Sequence, residues 1–413
     1  MSCNWKDCKL GDLIKLQRGF DLPTHQRQDG DVPVVSSSGI SGYHNEVKVK
    51  APGVVTGRCG TLGEVFYITQ DFWPLNTTLY VRDFKGNDIK FINYLLQTLN
   101  LAHQNAAGAV PCLNRNSLHL LLVKCPPIHI QRKIADILSA YDELIENNTR
   151  QIKILEEMAA LIYRKWFVNF RFPGHEQVKM VDSQLGLIPE GWEVKPLEEL
   201  LSFYIGGGWG QEEPSEEYPT PAYVIRGTDI PSAQYANTDT CPLRYHKKSN
   251  FKSRKLESRD IVFEVSGGSK DQPLGRCLLI NQYLLNSCKY DVICASFCKL
   301  IRANKDVFIP ELLFFHFYDI RQKGRMAKYQ VQSTGLSNFK FQSFLENEKL
   351  VIPPNELQDK FGEIVISKLE MIQVLGLENQ NLRKTRDLLL PKLISGEIDL
   401  ETLNTPEINL WAA

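Results

Sequence analysis

The sequence has no hydrophobic run long enough to cross a membrane and no excess of charge of either sign. A transmembrane helix needs about 18 consecutive apolar residues, and no stretch approaches that length. Lys and Arg together number 48, and so do Asp and Glu, so only local clusters of charge can indicate a partner. The opening segment, MSCNWKDCKL, lacks the apolar segment and cleavage site of a secretory signal, which predicts a cytoplasmic protein.

Motifs for metal, redox and nucleotide chemistry are also missing. The ten cysteines form no C-x-x-C pair and no cluster with zinc-ligand spacing, so we expect free thiols in a reducing compartment. No G-x-G-x-x-G or G-x-x-x-x-G-K-[ST] phosphate loop occurs, and we interpret GGGWG (206–210) as a turn or a close approach of backbone. No Asn-Pro-Pro-aromatic segment for gripping a flipped adenine is present, so methyl transfer by this chain alone is not expected.

One enzyme hypothesis survives this search. A nuclease-like E-x-K triplet occurs at Glu46 to Lys48, and Asp31 precedes it. A metal-dependent nuclease needs carboxylates to hold Mg²⁺ and a lysine near the scissile phosphate. The same triplet is typical of a strand with a solvated face. A stand-alone nuclease that uses Glu46 and Lys48 therefore stays open as an alternative.

What the sequence does contain is a repeat that runs its length. NWKDCKLGDLIKLQRG (4–19) matches GWEVKPLEELLSFYIG (191–206) at an offset of 187, and PPIHIQRKIADIL (126–138) matches PPNELQDKFGEIV (353–365) at 227. The matches between them keep their order while the offset rises: Val34 with Val224 (190), Val54 with Ile261 (207), Leu62 with Leu274 (212), FINYLL (91–96) with PELLFF (310–315) (219) and LNRNSL (113–118) with FKFQSF (339–344) (226). One order of elements therefore occurs twice, and the second copy carries about 40 more loop residues, the difference between 227 and 187.

Each copy has a β-rich part followed by a helical part. Short β-branched and aromatic runs broken by Gly, Pro, Asn and Ser predict strands and turns, and a 3.6-residue apolar period then predicts a helix. The predicted organisation is a first β-rich domain (1–125), a first long helix (126–170), a Pro- and Gly-containing linker (171–191), a second β-rich domain (192–352), a second long helix (353–400) and a C-terminal tail (401–413).

The two helices carry unusually long apolar seams. A helix of roughly 40 residues is about 60 Å long, and a seam of that length needs a partner, for which the other copy's helix is the obvious choice. The alternative is two unrelated amphipathic helices, each packed on its own domain. The predicted seam residues are Ile134, Ile137, Tyr141, Leu144, Ile152, Leu155, Phe361, Ile364, Leu369, Ile372 and Leu389.

Local charge points to nucleic acid. HKKSNFKSRKLESR (246–259) holds six basic residues against one acid, and RQKGRMAK (321–328) holds four basic residues and no acid. Such clusters suit contacts to phosphate, which supply salt-dependent affinity. An ordinary solvated basic face has the same composition, so neither segment decides the question alone.

Polar turns support the same hypothesis. The turns at 36–45, 56–61, 114–117 and 225–230 combine Gly with Arg, Asn, Ser and His. Arg pairs well with guanine edges and Asn with adenine edges in the major groove, although ordinary turns have this composition too. The predicted DNA-binding residues are Ser36, Ser37, Ser38, His44, Asn45, Arg58, Thr61, Asn114, Arg115, Asn116, Arg226, Thr228, Asp229, Lys247, Lys248, Lys252, Arg254, Lys270, Arg321 and Lys323.

The arrangement resembles the DNA-specificity (S) subunit of type I restriction-modification systems. The resemblance rests on W-x-x-x-x-L-x-x-L at 5–13 and 192–200, on LGLIPEGWEVKPLEEL (185–200), and on PP-x-x-x-Q-x-K at 126–133 and 353–360. It implies an α+β fold in which a mainly-β target-recognition domain followed by a long helix occurs twice. It also implies that the helices pair as an antiparallel coiled coil with one recognition domain at each end.

The resemblance further implies a non-catalytic chain that binds double-stranded DNA at a two-part, gapped site. Two methyltransferase subunits and the motor-nuclease subunits would be its partners. S-adenosylmethionine, ATP and Mg²⁺ would be bound by those partners, with no cofactor on this chain. Arg150, Lys153, Trp166 and Phe167 are expected partner contacts. A coiled-coil adaptor that only assembles other proteins remains the second alternative, beside the nuclease.

Overall fold

The computed structural model describes residues 5–104, 112–267, 273–332 and 337–401. The chain forms two compact units. Unit 1 comprises the described parts of Met1–Ile145 and Leu382–Ala413, and unit 2 comprises those of Glu146–Asn381. Within the described ranges, no helix is both long and apolar enough to span a bilayer.

Unit 1 begins with short strands and short helices. Its strands are β1 (Lys6–Lys9), β2 (Lys15–Arg18), β3 (Val32–Ser36), β4 (Gly39–His44), β5 (Gly53–Gly57), β6 (Val65–Ile68), β7 (Trp73–Pro74), β8 (Thr78–Asp83) and β9 (Leu122–Cys125). Its short helices are α1 (Leu10–Leu13), α2 (Ile89–Thr98) and α3 (Arg115–His119), with 3-10 turns at Thr24–Gln26 and Leu101–His103. The long helix α4 (Ile128–Tyr163) begins in unit 1.

The strands of unit 1 form two sheets and a ribbon. The four-stranded sheet has the order β2-β8-β5-β6, and the three-stranded sheet has the order β4-β3-β7, in which β3 and β7 are parallel. β1 and β9 pair as an antiparallel ribbon. One core joins the larger sheet and α2 to the long helices, with Val54, Phe91, Leu95, Ile134 and Leu393 among its buried members.

Unit 2 repeats these elements and adds others. Its strands are β10 (Met180–Ser183), β11 (Gly186–Pro189), β12 (Glu193–Pro196), β13 (Leu201–Gly206), β14 (Thr220–Ile225), β15 (Leu243–His246), β16 (Ile261–Glu264), β17 (Ser266–Gly267), β18 (Cys277–Leu279), β19 (Val292–Cys294), β20 (Cys298–Ala303), β21 (Gln330–Gln332), β22 (Ser337–Phe339) and β23 (Lys349–Ile352). Its helices are α5 (Ile230–Ala233), α6 (Lys248–Arg254), α7 (Gln282–Ser287), α8 (Pro310–Gln322), α9 (Phe341–Asn347) and the greater part of α10 (Asn355–Ser395). A π turn at Arg164–Val168 and 3-10 turns at His175–Gln177, Leu197–Leu200 and Arg325–Tyr329 complete it.

The two units share one topology. The sheet β13-β20-β16-β18 corresponds to β2-β8-β5-β6, the sheet β15-β14-β19 to β4-β3-β7, and the ribbon β12-β23 to β1-β9. The pairing agrees residue by residue, since Val34 lies beside Trp73 in parallel strands and Val224 lies beside Ile293 in the same way. The predicted tandem duplication is therefore confirmed. The sheet β17-β22-β21 and helices α5 to α7 lie within the longer second copy.

Within unit 2, α4 and α10 pack antiparallel. Thr149 on α4 lies beside Asn379 on α10, and Ile152 shares a buried cluster with Ile372 and Leu375. Further along α4, Tyr163 contacts the ring of Phe361, which precedes those partners on α10. As residue numbers increase along α4, the residue numbers of their partners on α10 decrease, as expected of an antiparallel pair.

Within unit 1, the start of α4 and the end of α10 meet in the same sense. Ile134 and Leu138 share a core with Leu393 and Ile394. At the edge of this core, Arg386 Nη1 donates to Asp142 Oδ1 at 2.5 Å. The helix pairing predicted from the two seams is thus present in each unit.

The predicted seam residues occupy positions of three kinds. Ile134, Ile152, Phe361 and Ile372 are buried; Ile137, Leu155, Leu369 and Leu389 are half-buried against a core; Tyr141 and Ile364 are half-buried. The structure differs from the prediction at Leu144, which is 43% exposed. Six residues after the buried Leu138, a helix has turned by about 600°, which is 120° short of two full turns. Leu144 therefore leaves the core face.

The expectation of free thiols was wrong for one pair. Cys59 and Cys112 form a disulfide across an isolated antiparallel bridge, although 53 residues separate them in sequence. Their pairing depends on tertiary structure, so cysteine spacing alone does not reveal it. The other cysteines in the described ranges are free, namely Cys8, Cys125, Cys241, Cys277, Cys288, Cys294 and Cys298.

Candidate nucleic-acid interface

Three of the predicted polar turns come together in unit 1. A cleft of about 440 Å³ is lined by Arg18, Arg58 and the segment 112–116, which includes Asn114, Arg115 and Asn116. We call these polar residues, with Ser36 to Ser38 and Thr61, the first site. Three guanidinium groups thus converge on a concave surface with two amide side chains, a combination suited to nucleic acid.

The backbone around Arg58 is held by hydrogen bonds. The Arg58 N–H donates to Thr77 O at 2.7 Å, and its carbonyl oxygen accepts from Leu113 N at 2.8 Å. Its Nη1 donates to Asn76 O at 3.2 Å. These bonds fix the residue where β5 ends, and they leave most of the guanidinium N–H groups available to a ligand.

Asn114 sets the direction of the short helix α3. Its Oδ1 accepts from Asn116 N at 2.9 Å, which caps the helix. The cap leaves Arg115 and Asn116 exposed in the first turn. Both side chains therefore project from a defined backbone instead of from a loose loop.

The turn at Ser36 to Ser38 lies directly against the turn that carries Arg58. A Cβ added to Gly57 would lie 2.0 Å from Thr61 O and 3.2 Å from Ser37 Cβ. Only glycine fits between these two turns, so Ser37 packs directly against the turn that carries Arg58. Ser38 and Thr61 are exposed beside them, while Ser36 is tied to its own turn by Oγ donating to Gly39 O at 2.9 Å.

His44 and Asn45 lie apart from the first site. His44 is 4% exposed, meets the edge of Trp73 and accepts from Gln28 N at 3.0 Å through Nδ1. The Asn45 amide donates to Gln28 Oε1 at 2.8 Å. Both residues stand at the far end of β4 from Ser38, about 20 Å or more away at 3.3 Å per residue. The structure thus gives His44 a packing role.

Unit 2 has the same backbone arrangement at the position equivalent to the first site, but its side chains differ. Phe339 N donates to Val265 O at 2.8 Å, and Val265 N donates to Phe297 O at 2.9 Å, which repeats the two backbone bonds of Arg58. Ser266 therefore corresponds to Cys59 and Asn338 to Cys112. Where unit 1 has the disulfide, Ser266 Oγ donates to Asn338 Oδ1 at 2.7 Å in unit 2.

The polar residues of this second place were missed in the sequence. We call Ser266, Asn338, Lys340 and Gln342 the second site; Ser266 is half-buried and the other three are exposed. Lys340 and Gln342 correspond to Asn114 and Asn116 of the first site. The signal was present, because the offset of 226 between LNRNSL and FKFQSF leads directly to both residues.

Arg226 and Asp229 hold a turn together. Asp229 is 1% exposed and accepts from Arg226 Nε at 2.8 Å, from Arg226 Nη2 at 2.9 Å and from Thr240 Oγ1 at 2.8 Å. Burial raises the pKa of Asp229, but the bonds from Arg226 and Thr240 outweigh it and lower the pKa. Both charges are thus internally paired. Thr228, between them, is exposed.

Fewer basic side chains of segment 246–259 are available to contact phosphate than the composition of the segment indicates. Lys247 pairs with Glu217, Lys255 Nζ lies 2.8 Å from Asp291 Oδ1, and Arg259 Nη2 lies 2.6 Å from Glu311 Oε2. The partners are distant in sequence, so the charge count of the segment could not reveal them. Arg254 Nε donates to Gly206 O at 2.9 Å.

Two lysines of that segment are available for contact with phosphate. Lys248 and Lys252 are one turn apart on α6, both are exposed, and neither has an ion pair within the described ranges. Residues four apart lie on the same helix face. They form a two-charge surface suited to adjacent phosphates.

The second basic segment, 321–328, is compensated by buried acids. Lys323 Nζ lies 2.6 Å from Asp319 Oδ2, and Arg325 Nη2 lies 2.7 Å from Glu348 Oε1. Arg321 Nη2 donates to Pro273 O at 3.3 Å. The lack of an acid inside this segment was therefore misleading. Lys270 lies outside the described residues.

Glu46 and Lys48, the proposed nuclease pair, contact each other. Lys48 Nζ lies 3.2 Å from Glu46 Oε2 and 4.5 Å from the centre of the Trp73 ring. Both residues are exposed. Within the described ranges, no group of three or more His, Cys, Asp and Glu side chains has a metal-binding arrangement. No observation favours the nuclease over the DNA-binding hypothesis.

Comparisons with known proteins agree with the duplicated topology. Residues 3–157 match the family model described as type I restriction modification DNA specificity domain. The MjaIX specificity subunit of a type I restriction enzyme from Methanocaldococcus jannaschii is 25% identical over 97% of this chain and 95% of its own length. The HindI specificity subunit from Haemophilus influenzae is 21% identical over 96% of this chain and 100% of its own.

A solved structure shows the same fold. The crystal structure of a type I restriction-modification system S subunit from M. genitalium aligns with a TM-score of 0.63 and 16% identity, covering 95% of this chain and 96% of that one. The family model matches the first copy of the repeat, and the relatives match along both copies. By the matched domain and by the alignments along both copies, the chain is similar to type I restriction-modification DNA specificity subunits.

Proposed function

We propose that this chain binds a two-part DNA sequence, with residues 1–125 contacting one half and residues 192–352 contacting the other. The observation that carries the proposal is the duplicated site. One backbone arrangement, fixed by matching hydrogen bonds at Arg58 and Val265, presents different polar side chains in the two units. A constant scaffold with changed polar groups is what recognition of two different base sequences requires.

The chain acts in sequence recognition, as a specificity subunit that works with other restriction-modification subunits and DNA. We propose that the partners are two methyltransferase subunits and the motor-nuclease subunits. The similarity to type I restriction enzyme specificity subunits supports this assignment. S-adenosylmethionine, ATP and Mg²⁺ would then belong to the partners, which carry out methylation, DNA translocation and cleavage.

An apolar stripe on α4 is the surface that we assign to a methyltransferase subunit. Ile154, Met158 and Leu161 are 55%, 44% and 49% exposed. Their spacing of four and three places them on one face, roughly opposite Ile152, which packs against α10. An exposed helix face of this kind suits packing against a partner helix.

Two of the contacts expected from the sequence have another role. Trp166 and Phe167 pack against Phe361, with ring centres 6.2 and 5.0 Å away, so they contribute to the core of unit 2. Arg150 and Lys153 are exposed and remain predicted partner contacts. The apolar stripe gives the interface an anchor that charged residues alone do not supply.

Selection from random DNA tests the proposed function. The chain, assembled with methyltransferase subunits of its own system, is incubated with random duplexes, and the bound fraction is sequenced. We expect one motif with two defined segments and a fixed number of unspecified base pairs between them. A matched control duplex that keeps both segments but adds three base pairs to the gap should lose binding. Unselective binding, or one continuous motif, would contradict the proposal.

A further inference from the structure

We infer that the first site recognises guanine through Arg58 and Arg115, whereas the second site recognises adenine through Asn338. This inference rests on the proposed function and names the bases that each site contacts. Guanine offers two acceptors, N7 and O6, to the major groove, and a guanidinium binds both at once. Adenine offers an acceptor and a donor, which a side-chain amide matches.

The two sites differ in arginine content at equivalent positions. Arg18 lies beside Leu79 in the pairing of β2 with β8, and Gly206 lies beside Lys299 in the pairing of β13 with β20. Arg18 therefore corresponds to Gly206. Arg58 corresponds to Val265 through the backbone bonds described above. All three arginines of the first site are thus replaced in the second, since Arg115 corresponds to Phe341, which is 6% exposed.

The guanidinium groups of the first site differ in their availability to a ligand. The Arg115 side chain has no hydrogen bond or ion pair within the described ranges and is exposed. Arg58 uses one N–H for Asn76 O. Arg18 is already engaged, with Nη2 3.4 Å from Asp21 Oδ1. Arg58 and Arg115 are therefore the two guanidinium groups of the first site without a carboxylate partner in the described ranges, and each retains a pair of parallel donors for a base edge.

In the second site, a side-chain amide is held in place by a neighbouring serine. Asn338 is exposed on β22, and its Oδ1 accepts from Ser266 Oγ at 2.7 Å, which holds the amide in one orientation. The Asn338 nitrogen and the second lone pair of its oxygen remain for a ligand. Lys299 on β20 lies 4.9 Å from the centre of the Phe341 ring. That contact holds the lysine on the aromatic surface.

The experiment is selection from random DNA with the full chain in its assembled complex, using variants of each site. Arg115→Gln and Arg58→Gln should each relax one guanine position in one half of the motif and weaken binding to the parent duplex by about 10- to 100-fold. Asn338→Ala should relax an adenine in the other half and leave the first half unchanged. Arg82→Gln on β8 is the matched control, because Arg82 donates to Gln17 Oε1 and lies outside the first site.

Assembly and thermal unfolding of each variant are measured in parallel, so that loss of folding is separated from loss of recognition. A complex that selects no gapped motif would overturn the proposed function, and this inference with it. A gapped motif that keeps every guanine preference in both arginine variants would overturn the guanine assignment alone. Unchanged adenine preference in Asn338→Ala would overturn the assignment of the second site alone.

Discussion

Gln131 and Gln358 make the same pair of hydrogen bonds at the starts of α4 and α10. Gln131 Oε1 accepts from Asp88 N at 2.9 Å, and its Nε2 donates to Pro126 O at 3.0 Å. Gln358 Oε1 accepts from Ile309 N at 3.0 Å, and its Nε2 donates to Pro353 O at 3.0 Å. The two side chains are 2% and 1% exposed. In each unit, one buried amide joins the long helix to the shorter helix of the β-rich domain.

The first prediction concerns this amide. Gln358→Ala should lower the free energy of unfolding by about 3 kcal/mol, because it leaves Ile309 N and Pro353 O buried without their partner. Lys360→Ala is the matched control, since Lys360 recurs in the same motif but is exposed and pairs with Glu356 at the surface. Chemical denaturation measures both. Equal destabilisation by the two substitutions would contradict the role given to Gln358.

The repeat, the two long helices and their pairing could be predicted because apolar periodicity and glycine positions survive in the sequence. The alignment of the two copies from sequence alone is shifted slightly where more than one residue gives a match. The sequence aligns Gly19 with Gly206, but Gly207 takes its place in the structure. A Cβ at Gly19 would lie 2.1 Å from Leu75 O, and one at Gly207 would lie 2.2 Å from Ala295 O. GGGWG is therefore a close approach of backbone, as interpreted.

The helices α2 and α8 show a shift of the same kind. An offset of 219 places Asp88 on Val307, but the bonds to the two glutamines place it on Ile309. A helix presents apolar residues in several rows. An alignment of two such helices that is shifted by two residues therefore still matches apolar residues with apolar residues. The shift becomes visible only when the backbone partner of Gln358 is known.

Charge was the least predictable property of the site. Lys247 and Lys248 cannot be distinguished by composition. In the structure, Lys247 pairs with Glu217 and Lys248 does not. Arg325 is likewise balanced by Glu348, which is 1% exposed and lies outside the basic segment. Such pairs are made by tertiary structure, and neither the local charge nor the spacing of residues encodes them.

A second prediction uses this distinction. Replacing Lys248 and Lys252 together by Ala should weaken binding to all sequences and reduce the slope of log affinity against log salt by about 2, near 0.9 for each lost phosphate contact. Lys323→Ala is the control, because its charge is already paired with Asp319. Titrations at several salt concentrations give both slopes. An unchanged slope in the double variant would exclude phosphate contacts at α6.

A third prediction concerns assembly. Met158→Asp places a charge in the centre of the α4 stripe and should reduce binding of a methyltransferase subunit by at least tenfold. Met371→Asp is the control: this methionine is 49% exposed on α10, outside the stripe. Native mass spectrometry of mixed subunits measures the occupancy. Normal assembly of Met158→Asp would place the docking surface elsewhere.

A fourth prediction follows from the lowered pKa of Asp229. A carboxyl group whose pKa is lower in the folded state stabilises the fold above its unfolded pKa, near 3.8, and loses that contribution as the pH falls. Asp229→Asn should therefore cost about 2 kcal/mol at pH 7 and progressively less below pH 4. Thr228→Ala, at the exposed neighbouring position, should change little. A cost that stays constant with pH would refute the charged pairing with Arg226.

The most direct test of the duplicated-site account is an exchange of one recognition domain. Residues 1–125 are replaced by the equivalent domain of another specificity subunit with a known motif, and the motif of the assembled complex is determined by selection from random DNA. We expect one half of the motif to change to that of the donor, while the other half and the gap stay the same. A change in both halves, or in neither, would contradict the claim that each unit recognises its own half-site.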